Sequence, residues 1–232
     1  MKPASKRVKF AVLGGIAGGI ILLFLLFSPL LGLVKHTYRT LPYYGPKEVN
    51  GPGDTTYFQV PPFEFTDQDG AVLGEERVKG KILVVDFFFT RCSTICPRMT
   101  TQLQQLQLQL TDEAFADVLF LSHTVDPEHD TVEVLKAYAD RYQADPSRWQ
   151  FVTGAKEDIY LQGADGYFLA AREDVMAPDG FLHSEMFVLV DRDRHIRGYY
   201  DGTNSAEVGR LVTDLKMLLK EEKLRDREAI RS

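Results

Sequence analysis

Residues 81–99 read KILVVDFFFTRCSTICPRM, and the fold turns on this stretch. Its first half, residues 81–89, is a near-continuous run of β-branched, aliphatic and aromatic side chains. Such a run predicts a strand buried on both faces, because a strand with one wet face alternates apolar and polar residues. Two cysteines follow at once, Cys92 and Cys96, with three residues between them. Pro97 suits the start of a helix, where its missing N–H costs nothing. Met99, Leu103, Leu106 and Leu110 then recur at helical spacing among glutamines, giving one amphipathic helix. The unit is strand, cysteine loop, helix. In open α/β sheets, ligand-binding and reactive groups gather beyond the carboxyl ends of strands, where loops meet helix N-termini.

Outward from this unit the pattern alternates. Residues 63–66 and 71–73 form a hairpin about Gln68-Asp69-Gly70. Residues 118–125 are a second buried strand, and residues 131–142 a helix with Val134, Leu135 and Tyr138 on its apolar face. Residues 149–152 are a short strand and residues 156–164 a helix. Residues 186–190 and 196–200 make a hairpin around residues 191–195. A last helix covers residues 205–219 with Ser205 as N-cap, and the charged residues from Lys220 onward read as a solvated end. The expected class is α/β, a mixed sheet flanked by helices and closed by an antiparallel hairpin.

The N-terminal part is of another kind. Residues 10–34 carry no charge, more than the roughly 20 apolar residues that span a bilayer as a helix. Lys2, Lys6, Arg7 and Lys9 precede them and keep the N-terminus on the cytoplasmic side. Residues 35–60 hold Pro42, Gly45, Pro46, Gly51, Pro52 and Gly53 and read as a tether, with Tyr38, Tyr43 and Tyr44 at the height of the lipid interface. The organisation expected is residues 1–9 cytoplasmic, 10–34 a transmembrane anchor, 35–60 a tether, 61–220 a globular domain and 221–232 a charged tail. Of 232 residues 44% are hydrophobic, enough for a real core, and the net charge of −6 argues against nucleic acid as a partner.

Two cysteines are too few for a disulfide scaffold, so the pair binds metal, cycles between thiol and disulfide, or forms one local bridge. At a helix start the dipole favours a thiolate at Cys96. Two thiolates prefer Cu(I) or Zn(II) to hard cations. Asp86 interrupts the apolar strand six residues before Cys92, and a carboxylate there is buried. In this the stretch resembles thioredoxins, with C-x-x-x-C in place of C-x-x-C.

Taken with Val125-Asp126-Pro127-Glu128-x-Asp130 and Phe181-Leu182-His183-Ser184, the cysteine motif resembles the Sco (SenC) family over residues 61–219. The resemblance implies a thioredoxin-like fold and a membrane-tethered copper chaperone that helps assemble the binuclear copper site of cytochrome c oxidase. It implies Cys92, Cys96 and His183 as copper ligands, with Cu(I) and also Cu(II) as cargo and Cys92 and Cys96 as a redox pair. Thioredoxin-like oxidoreductases usually carry a cis-proline at the loop entering the antiparallel strand. No proline lies between Asp179 and Val190, and His183 stands there instead. The partners implied are the copper-bearing oxidase subunit and a copper donor or thiol reductant. The place implied is a bacterial inner membrane crossed once, with the domain in the periplasm.

A thiol–disulfide oxidoreductase acting on target cysteines before metallation is the alternative, supported by Asp86. A peroxiredoxin fits poorly, since its P-x-x-x-T-x-x-C pattern lacks the proline here. Of the other histidines, His123 reads as a satisfied structural residue, His129 as surface, His195 as part of the hairpin turn and His36 as part of the tether. Asp126, Pro127 and Asp130 read as a turn opening the next helix, either shaping the loop by the site or taking part in its chemistry.

Overall fold

The computed structural model describes residues 19, 23, 24, 40–173 and 181–231, the side chains of Leu182 and His183 excepted. The globular unit, residues 40–232, is built on a seven-stranded sheet. Its strands are β3 (Glu64–Asp67), β4 (Val72–Gly74), β5 (Ile82–Phe88), β6 (Val118–Thr124), β7 (Trp149–Thr153), β10 (Met186–Val190) and β11 (Ile196–Asp201). The order across the sheet is β11-β10-β5-β6-β7-β3-β4. The central strands β5, β6 and β7 run parallel, while β10 and β3 flank them antiparallel. Every residue of β5 and β6 is buried, as their apolar runs require. Helices α1 (Glu75–Val78), α2 (Cys96–Gln109), α3 (Val132–Arg141) and α4 (Lys156–Leu161) lie between these strands in the chain, and α5 (Ser205–Ala229) follows the last of them. Outside the main sheet are two hairpins, β1 (Lys47–Gly51) with β2 (Asp54–Tyr57), and β8 (Ala171–Glu173) with β9 (Phe181–His183).

The register sets the chemistry of the two sheet faces. Asp86 stands opposite Ser122, Phe87 opposite His123 and Phe88 opposite Thr124. Successive side chains of a strand point to opposite faces, so Phe87 and His123 share one face, and Asp86, Ser122, Phe88 and Thr124 the other. On the second face Trp149 Nε1 donates to Ser122 Oγ, and Ser122 Oγ donates to Asp86 at 2.5 Å. The carboxylate foreseen as buried is 1% exposed.

Three expectations are corrected at the ends of the domain. The last helix runs ten residues beyond Leu219, to Ala229, and its N-cap is Asn204, whose side chain accepts from Ala206 N. Of the charges beyond Lys220, Glu221 and Glu222 are drawn into the domain, while residues 225–231 are exposed as expected of a solvated end. Glu222 is buried and paired with Arg192, and Glu221 receives Arg197 Nη2 at 2.7 Å. Arg197 is itself buried, held by Asp191 and the carbonyls of Leu41 and Pro42. The same guanidinium sits 4.1 Å from the Tyr43 ring. Residues 40–60 are therefore more than a tether. Tyr43 stacks on Tyr57 at 4.1 Å and Tyr44 meets Tyr199 edge-on, so both pack on the domain. Their aromatic area is worth more against a buried cation and other rings than in water.

Of the apolar stretch 10–34, only Gly19, Leu23 and Phe24 are described, all helical; its expected span and Tyr38 lie outside the described residues. Among the described residues no helix is long and apolar enough to cross a membrane.

Candidate metal centre

The chain leaves β5 at Phe88 and turns, with Cys92 N donating to Phe89 O. Four residues later α2 opens with Cys96 itself as its first residue and Pro97 as its second. This places both cysteines at the carboxyl end of a central strand, where the strand-to-helix junction was expected to put them. Both are reduced and buried, Cys92 at 6% exposure and Cys96 at 1%. Their side chains are hydrogen-bonded to each other. Cys92 Sγ also lies 3.5 Å from Thr94 Oγ1.

The expectation of a thiolate-favouring Cys96 is overturned. Its hydrogen bond with Cys92 raises its pKa first, burial second, and the charges of Cys92 and Asp86 add to this. The Phe89 backbone opposes the rise without cancelling it. Burial and a neighbouring sulfur outweigh the helix terminus, because a second negative charge in a dry site is costly. Cys96 is thus held as a thiol, and a bound cation compensates its charge when it ionises.

A second loop fixes the first. Thr90 donates to Asp130 through its backbone N–H at 3.0 Å and through its hydroxyl, and Thr124 Oγ1 donates to the same carboxylate. Asp130 is fully buried. Arg91 bonds Asp126 at 2.5 Å, and Asp126 N receives Thr124 Oγ1 as its acceptor. The Asp-Pro stretch therefore shapes the cysteine loop. Reading it as a turn captured its form, but nothing in its spacing pointed to Thr90 or Thr124 as donors.

His183 ends β9, its Cα paired with that of Ala171. The Phe181 ring, two residues earlier, lies 5.0 Å from the ring of Phe89, three residues before Cys92. That contact brings the strand carrying His183 beside the strand end carrying the cysteines. The His183 side chain lies outside the described residues, and among the described residues no three metal-ligating side chains cluster. His195 Nδ1 lies 2.7 Å from Phe58 O, and His129 borders the cysteine loop. His36 lies outside the described residues. His123 is buried as expected but is not satisfied, since neither ring nitrogen has a hydrogen-bond partner. Two adjacent reduced sulfurs in a dry pocket suit a soft cation and fit a hard one badly.

A SCO1/SenC family model matches residues 53–220. The chain belongs to the SCO1/SenC family. The SCO1 protein homolog of Bacillus subtilis is 34% identical over 163 residues, covering 70% of this chain and 84% of that one. The structure of BsSco, a member of the Sco family of cytochrome c oxidase assembly proteins with a disulfide switch, superposes with a TM-score of 0.62 at 32% identity. It covers 70% of this chain and 94% of BsSco. Bradyrhizobium japonicum ScoI, solved with copper bound, gives 0.57 at 24% identity, covering 69% and 99%, and shows the shared fold. The fold of this Sco chain is thioredoxin-like, with a central mixed sheet and flanking helices.

Proposed function

We propose that this Sco protein carries copper for the assembly of cytochrome c oxidase, holding the ion with Cys92, Cys96 and His183. The observation that carries the reading is the pair of reduced, buried cysteines hydrogen-bonded to each other at the end of β5. Thiolates and an imidazole make a donor set suited to Cu(I), with Cu(II) as a second state of the cargo. Ligation displaces the thiol protons, so uptake releases protons and oxidation blocks it. When the pair closes to a disulfide it loses two protons and two electrons to a disulfide partner, which becomes a dithiol; reduction by a dithiol partner reverses this. The redox state of Cys92 and Cys96 thus gates loading. Residues 10–34 anchor the chain once in a bacterial inner membrane, with the domain in the periplasm facing the copper-bearing oxidase subunit and a copper donor or thiol reductant.

Asp86 favours a second reading. Its buried charge reaches Cys96, a placement that suits proton transfer during thiol–disulfide exchange. The protein would then reduce target cysteines before metallation. Copper titration of the full reduced chain in non-ionic detergent separates the two. Near-stoichiometric Cu(I) binding is expected for the wild type, with affinity at least about tenfold weaker for Cys92→Ser and His183→Ala. Undiminished binding by His183→Ala, together with strong disulfide reductase activity, would overturn the copper reading in favour of the second.

A further inference from the structure

Beside the cysteine loop lies a cleft of about 310 Å³ lined by Thr90, Arg91, His129, Val134, Ala137, Tyr138 and Arg141. Its floor is apolar or aromatic, from α3. Its rim carries two arginines and a histidine, and no carboxylate lines it. This is unusual in a chain of net charge −6. Two acids near it, Asp126 and Asp130, are withdrawn. Asp130 is enclosed by its threonine donors, and the Asp126 carboxylate is 7% exposed while its partner Arg91 is 57% exposed. Arg141 makes no ion pair among the described residues and leans on the Tyr138 ring. On α3, Glu133 is engaged by Thr131 at the other end of the helix, and Asp140 lies outside the cleft. A buried anion, Asp126, thus fixes the exposed Arg91 beside Cys92, while Arg141 rests on the Tyr138 ring of the same cleft.

We infer that this cleft docks an acidic polypeptide segment of the protein that exchanges copper or thiols with the site, an inference that rests on the proposed function and names the chemistry of its partner. Arginines present paired donors to carboxylates, and the apolar floor takes an aliphatic or aromatic side chain of the same segment. Because Arg91 is covalently next to Cys92, a segment bound here has its neighbouring residues against the sulfurs. Complementary charge raises encounter rates and selects partners more than it adds affinity. A second cleft, between β3 and α4, has the opposite character, with Glu64, Asp158 and Asp165 on its lining and no cation. The two clefts make the protein a dipolar reader of partners, and an acidic segment is steered away from one and toward the other.

The test is an NMR titration of the full reduced chain in non-ionic detergent. The probes are a ten-residue peptide of alternating Glu and Gly with one Tyr, its Gln counterpart, and soluble short-chain phosphatidylglycerol. The Glu peptide is expected to shift the amides of residues 90, 91, 129, 134, 137 and 141, and to bind at least about tenfold tighter than the Gln peptide at low salt. That preference should vanish at high salt and in Arg141→Glu, and survive in Arg141→Lys. Equal affinity for both peptides, an unaffected Arg141→Glu, or tighter binding of the lipid at the same amides each overturns the inference. Copper uptake by Arg141→Glu should match the wild type. If the wild type docks the Glu peptide but fails to take up copper, the cleft stands and the functional reading falls.

Discussion

Asp130 and His123 are both closed to solvent, one just past the end of β6 and the other within it, and they are served in opposite ways. Asp130 accepts three hydrogen bonds, from Thr90 N–H, the Thr90 hydroxyl and the Thr124 hydroxyl. His123 is walled by Phe63, Phe65, Phe87 and Tyr167, with ring centroids 4.9–6.1 Å away, and its two nitrogens have no partner. Thr124 and His123 are consecutive residues, so the two clusters occupy opposite faces of one sheet. Buried polar groups are costly unless hydrogen-bonded, and the difference shows where that cost brings a return. On the Asp130 face it fixes the loop that carries Cys92. On the His123 face no hydrogen bond ties the ring to another element among the described residues.

The sharpest way to break this contrast is to remove the satisfied carboxylate. Asp130→Ala leaves three donors, the Thr124 one buried and the two of Thr90 half-buried, without that acceptor and is expected to cost about 2–3 kcal/mol. Urea unfolding followed by the fluorescence of Trp149, the single tryptophan, measures it. Copper affinity should fall at least about tenfold, because the Thr90–Cys92 turn loses its fixed position. Asp130→Asn keeps one acceptor but turns an amine toward the donors, and should lie between. Full copper affinity in a destabilised Asp130→Ala chain would show that the carboxylate supports the fold without positioning the sulfurs.

This contrast also marks how far the residues alone reach. The strand–loop–helix unit was legible because residues 82–88 have the continuous apolar pattern of a doubly covered strand and α2 has a helical stripe. The Cys92–Cys96 pair was legible because only two cysteines exist and their spacing permits contact. Burial of Asp86 followed from its apolar neighbours. What was not legible depends on side chains meeting across long sequence separations. Thr90 with Asp130 is such a case, and so is Arg197 joining Leu41, Asp191 and Glu221. The β1–β2 hairpin was hidden by its prolines and glycines, which look alike in a tether and in turns. The last helix extends because Glu221 finds the buried Arg197 and the buried Glu222 finds Arg192, a fact invisible in a run of mixed charge. His123 was read as satisfied because most buried histidines are, and only the packed rings show otherwise.

Acid sharpens the comparison from the other side. Burial depresses the His123 pKa to about 3, against an ordinary value of 6.5. The folded chain therefore keeps His123 neutral where the unfolded chain protonates it. Stability is whole above about pH 6.5 and falls as the pH drops toward 3, since the unfolded state binds the extra proton. Near pH ~4.5 the loss amounts to about 2–3 kcal/mol at roughly 1.4 kcal/mol per unit. His123→Phe suits the aromatic box, removes two unpartnered nitrogens and should gain about 1–2 kcal/mol at neutral pH. It should also flatten that part of the acid limb in urea unfolding, with copper uptake unchanged. An acid limb identical in the two chains would locate the sensitivity in the carboxylates instead.

The smallest effect probes the same face at a single atom. Tyr167 is fully buried, and its hydroxyl has no hydrogen-bond partner; the Gln162 amide approaches without bonding geometry, and its Nε2 is unpartnered too. Burial raises the Tyr167 pKa, which keeps the phenol neutral across the physiological range. Tyr167→Phe removes one oxygen and preserves the ring against His123 and Phe87. Losing an unpaired hydroxyl from a dry site relieves a desolvation penalty, while the small void it leaves forfeits some packing. The balance should be a gain of under about 1 kcal/mol in urea unfolding, with no change in copper binding. A loss of more than about 1 kcal/mol would mean that the hydroxyl, and with it Gln162, serves a hydrogen bond formed in solution. The two faces would then differ less than their geometry shows, and the His123 side would have to be counted as a second polar network.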